Sequence, residues 1–113
     1  MKKIIDEIRR YHSLKMISDD EIVPYVELAL LELPSYGVAP NLTLKATAFL
    51  TLSLLGAKLW IKIQQRANEY DESLETFKDL EVWQSYWKNR LCSLTKADDD
   101  KNNDIKGFNY AAI

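Results

Sequence analysis

The chain has 113 residues, 47% hydrophobic and 28% charged, with three Gly, three Pro and one Cys. That is one domain's worth of chain, too apolar for disorder and too poor in Gly and Pro for low complexity. Fifteen Lys and Arg against seventeen Asp and Glu leave a net charge of −2, which argues against a protein devoted to non-specific nucleic-acid binding, and a lone Cys92 makes a reducing compartment the expectation.

All three prolines, Pro24, Pro34 and Pro40, lie in the first half, so the remainder can support long helices. No segment alternates apolar and polar residues beyond a few positions, and an all-α fold is expected. The uncharged run 46–57, bounded by Lys45 and Lys58, falls short of the ~20 residues that cross a bilayer. Met1-Lys2-Lys3 is followed by Asp6, Glu7, Arg9 and Arg10, where a signal peptide would carry its apolar stretch. No membrane segment is expected.

A first short helix, about 2–11, places Ile4, Ile5, Ile8 and Tyr11 on one face. The run Ser18-Asp19-Asp20-Glu21 predicts a capping box, with Ser18 as N-cap and Glu21 returning to its amide. Ile17 and Ile22 sit where a hydrophobic staple would close, and the acids suit the helix dipole. Pro24 is expected to bend this second helix, Pro34 to end it, and Gly37 and Pro40 to make the turn. Its residues Ile22, Val23, Tyr25, Val26, Leu28, Ala29, Leu30, Leu31 and Leu33 point in nearly every direction. A helix apolar all round needs cover on more than one side, and in a small chain that cover can include another molecule.

Asn41 or Thr43 is the expected cap of a third, long central helix reaching about residue 70. A seam with a small centre runs Leu42, Ala46, Phe49, Ser53, Gly56, Trp60, Ile63, Ala67, Tyr70. Gly56 costs a helix about 1 kcal/mol relative to Ala, so it implies close approach of another helix. The opposite side carries Thr43, Thr47, Thr51, Lys58, Lys62, Gln65 and Glu69, interrupted by Leu44, Leu54 and Leu55, and reads as partly fit for water. A fourth helix, 74–96, has Phe77, Leu80, Trp83, Trp87, Leu91 and Leu94 as its apolar face. The expected organisation is a helical domain over 1–97, then an acidic loop and an extended apolar C-terminal tail over 98–113.

Candidate chemistry is sparse. His12 has no second His or Cys near it in sequence, so neither a catalytic nor a metal-binding role is expected. Cys92 lies beside an apolar face and reads as a small buried hydrophobe. Asp98, Asp100 and Asn102 fit positions 1, 3 and 5 of an EF-hand loop, but Asn103 replaces the Gly of position 6 and Asn109 the Glu of position 12. A weak surface cation site there stays open. Trp83, Tyr86 and Trp87 beside Lys88 and Arg90 could stack single-stranded nucleic acid, yet the i,i+4 spacing of the two tryptophans reads as core or subunit interface. There is no Gly-rich phosphate loop or paired catalytic acid. Neither an enzyme nor a cofactor is expected.

The order of elements resembles the small helical head–tail connector (adaptor) proteins of tailed bacteriophages. The residues that carry this are Ser18-Asp19-Asp20-Glu21-Ile22-Val23 leading into 26–33, and Pro40-Asn41-Leu42-Thr43-Leu44-Lys45-Ala46 running on through Leu59-Trp60. The likeness covers roughly residues 15–96. It implies a non-enzymatic ring subunit of the virion, assembled in the host cytoplasm, beneath the portal and facing tail or stopper proteins. No nucleic-acid role beyond channel lining follows from it. The family's C-terminal segment often reaches a neighbouring component, which would make Ile105, Phe108, Tyr110 and Ile113 partner-binding residues. Phe49, Ser53, Gly56, Trp60, Trp83 and Trp87 are the expected helix-packing and assembly residues. The alternative expectation is a small intracellular regulator or inhibitor that binds one protein through a helical face.

Overall fold

The computed structural model describes the backbone of residues 1–65 and 77–103, with side chains through Thr95. Among the described residues it is an all-α bundle of four helices: α1 (Lys2–Tyr11), α2 (Asp19–Glu32), α3 (Thr43–Gln65) and α4 (Leu80–Asn103). The long α3 is the hub against which each of the others packs.

The cap of α2 forms as the sequence predicts. The Ser18 amide donates to Glu21 Oε1 at 2.9 Å, and Ser18 Oγ accepts from the Glu21 amide at 3.2 Å. Ile17 and Ile22 are both buried beside it. Pro24 lies inside the helix, which continues through it to Glu32. A 3-10 turn, Leu33–Tyr36, then takes up Pro34 and stops at Gly37, whose φ of +66° is a conformation that side-chain-bearing residues rarely adopt. A second 3-10 turn, Pro40–Leu42, leads directly into α3. Thr43 is therefore a helical residue, not the expected cap.

The link between α1 and α2 is tied by one side chain. The Arg9 guanidinium donates to the carbonyls of Ser13, Leu14 and Ile17, and reaches the Asp19 carboxylate at 2.7 Å. This fork of donors satisfies loop carbonyls that no helix serves. It also holds fully buried Leu14 at a φ of +53°.

The far side of α3 departs from the sequence expectation. Residues 46–53 are all buried, Thr47 and Thr51 included. Each threonine hydroxyl donates to the carbonyl four residues back, Thr47 to Thr43 and Thr51 to Thr47, both at 2.7 Å. A hydroxyl satisfied within its own helix can be buried at little cost. Pro40–Gln65 is long and apolar enough to cross a membrane, at a mean hydropathy of 1.4, although the uncharged run within it is short. Two-thirds of that apolar window is covered by the protein's own residues.

The backbone of α4 stays helical through Asn103, over the stretch expected as an acidic loop from residue 98. Neither Gly nor Pro occurs between residues 57 and 106 to end it. The remainder of the expected tail lies outside the described residues. The amide of Val82 donates to Asp79 Oδ1 at 2.9 Å, which satisfies a donor at the start of α4.

Glu21 also ties α2 to α3, because its Oε2 accepts from Lys62 and faces Lys58 at 3.7 Å. The Lys62 ammonium, and after it the Ser18 amide, bring the Glu21 carboxyl down to about 2. A depressed carboxyl stabilises the fold above its unfolded pKa, near 4.3, and that contribution is lost as pH falls through about 2. Glu21→Gln keeps an acceptor for the cap but removes the charge. It should cost about 1 kcal/mol at pH 7 by urea unfolding, and the gap to wild type should close between pH 5 and pH 2.

Candidate functional site

The α2 helix divides cleanly into an inner and an outer face. Ile22, Val26, Ala29 and Leu33 are buried against the bundle. On the other side Leu28 is 47% exposed and Leu31 79%, while Leu30, 43% exposed, lies on the flank next to Val26. Leu28 and Leu31 fall within the 140° sector bounded by Glu27 and Glu32 on a helical wheel, both glutamates being exposed. Asp20 is exposed as well, and α2 contains no Lys or Arg. The outer face is thus a leucine ridge between carboxylates. Next to it, Leu30 and Leu33 with Pro34, Gly37, Val38 and Thr43 line a shallow cavity of about 300 Å³.

A second concavity, of about 530 Å³, lies where the C-terminal end of α1 meets the N-terminal half of α4. Its described walls include Arg9, Arg10, Tyr11, His12, Val82, Tyr86 and Trp87. Glu7 is buried behind it and organises the α1 side, accepting from the Tyr11 hydroxyl at 3.0 Å and pairing with Arg10 at 2.8 Å. Burial first, and that hydrogen bond second, raise the Tyr11 phenol above its ordinary value. Arg90 lies over Phe49 at 4.9 Å, Tyr11 at 5.6 Å and Tyr86 at 5.8 Å, and donates to the Tyr86 hydroxyl at 3.1 Å. It has no carboxylate partner among the described residues. Trp87 Nε1 is buried without an acceptor.

His12 belongs to this wall. Its Nδ1 accepts from the Leu14 amide at 3.0 Å, and its ring stands edge-on to Trp83 at 5.0 Å. Cys92 is a half-buried free thiol. Among the described residues no group of three or more His, Cys, Asp or Glu is placed to hold a metal.

The six expected packing and assembly residues meet inside one chain. Phe49, Ser53, Gly56, Trp83 and Trp87 are buried, and Trp60 is half-buried against Trp83 at 5.7 Å. Their apolar surface is largely used in joining α3 to α4. The expected partner-binding residues Ile105, Phe108, Tyr110 and Ile113 lie outside the described residues. The cavity was not foreseen. Its signal was the run Arg9-Arg10-Tyr11-His12 at a helix end, but nothing local in that run says that α4 would wall its other side.

No protein family, curated protein or solved structure matches the chain. The functional reading rests on its own surface.

Proposed function

We propose that this chain is a structural subunit that works by association, a head–tail connector type of protein joined to portal and tail or stopper proteins in a virion. The observation that carries this reading is the outer face of α2, where Leu28 and Leu31 stand exposed on a helix whose other face is already in the core. Large apolar residues clustered and rimmed by charge mark interaction surfaces on small proteins. Leu31, 79% exposed, is covered little by its own chain. The connector identity adds the ring arrangement and comes from the resemblance in element order. Mass measurement of the full chain at native ionic strength tests the reading. An assembly of several subunits is expected. A mass that stays at one or two subunits would contradict it and favour a small protein-binding regulator.

A further inference from the structure

We propose that the leucine ridge of α2 in one copy seats in the Arg–Tyr–Trp cavity between α1 and α4 of the next, making a head-to-tail contact. This rests on the structural-subunit reading and names the occupant of its surface.

Two observations converge on that pairing. The first is shape: Leu31 is the most exposed large apolar residue of the described chain, and the cavity offers about 530 Å³ with Val82 and Tyr86 exposed at its wall. The second is charge. Asp20, Glu27 and Glu32 are exposed and form no ion pair among the described residues, and α2 supplies no base. The cavity has Arg9, Arg10 and His12 in its described wall with Arg90 beside it, and no carboxylate among its described lining residues. Arg9 and Arg10 already answer Asp19 and Glu7, so Arg90 is the cation still open to a glutamate.

The same charges decide the symmetry. Two α2 faces brought together would set the carboxylates of Asp20, Glu27 and Glu32 against carboxylates of the other copy, and like-charge juxtaposition disfavours an interface. The ridge therefore meets a different patch of the neighbouring copy. Such a heterologous contact repeats around a closed ring, or along a filament if the rotation does not close.

Leu31→Glu breaks the ridge and keeps the cavity, while Val82→Glu breaks the cavity and keeps the ridge. Both sites are exposed, and Glu in the first turn of α4 suits the helix dipole. Each variant alone should associate at least tenfold more weakly than wild type, as read by sedimentation. Mixed one to one, the two should form a species of two-subunit mass, since one intact ridge then meets one intact cavity. Tyr86→Ser replaces Val82→Glu if that variant has lost helix content by circular dichroism. Assemblies that persist in both variants, or a mixture that stays single, would overturn the seating and leave the structural-subunit reading in place. A wild-type chain that remains single would overturn both.

Discussion

Trp83→Ala should destabilise the fold by about 3–5 kcal/mol, the range for removing a fully buried large aromatic side chain. Trp83 is wholly inaccessible and sits in a cluster with Trp60, Phe77 and Trp87, ring centres 4.8–5.7 Å away. Its indole Nε1 donates to the Leu52 carbonyl at 2.7 Å, a buried bond that pins α4 to the middle of α3. Domains of this kind hold roughly 5–15 kcal/mol in total, so the loss takes a large share. Trp83→Phe should lose less, about 1.5–3 kcal/mol, because it retains most of the ring and gives up mainly the hydrogen bond and part of the volume. Urea unfolding followed by circular dichroism measures both. Equal losses would mean that the indole N–H and the outer ring contribute everything, and that the rest of the side chain does not pack.

Gly56→Ala is the second large effect, and its sign runs against helix propensity. In an open helix this change gains about 1 kcal/mol. Here a Cβ on residue 56 would stand 2.6 Å from Trp83 Cδ1, 2.9 Å from Trp83 Nε1 and 3.0 Å from Leu80 Cδ1. The indole cannot yield without breaking its bond to Leu52, so overpacking should win, for a net loss of about 1–3 kcal/mol. The double-mutant cycle is decisive. With Trp83 already replaced by Ala, Gly56→Ala should become neutral or stabilising by up to about 1 kcal/mol, a reversal of sign. If the cost is unchanged without the indole, the close approach of α4 is not what places glycine there.

Features set by residues near one another were the ones legible in the sequence. The Ser18–Glu21 cap forms as expected because both of its bonds close within three residues. Gly56 announces a close crossing through its cost to a helix, yet nothing in the sequence says that Trp83 is what crosses there. By sequence alone Thr47 and Thr51 read as partly fit for water, because a hydroxyl is a polar group. Bonds to their own helix carbonyls removed that requirement. The side-chain polarity of the stretch from Asp98 suggests a loop, but the helix meets neither Gly nor Pro there and its backbone continues to Asn103. For α2, the apolar periodicity showed that too many faces were apolar for one core. Which leucines remain outside depends on where α3 and α1 lie, and so does the cavity at the far end of α1.

If the outer leucines of α2 serve association and not folding, as proposed, Leu31→Gln separates the two in a single sample. Gln has a helix propensity close to that of Leu and adds no charge. The melting temperature should stay within about 2 °C of wild type, as expected for a surface change of under ~0.5 kcal/mol. The mass of the same sample should fall toward a single subunit. A marked drop in melting temperature with the assembly intact would contradict the claim, because Leu31 would then be holding the fold and not a neighbour.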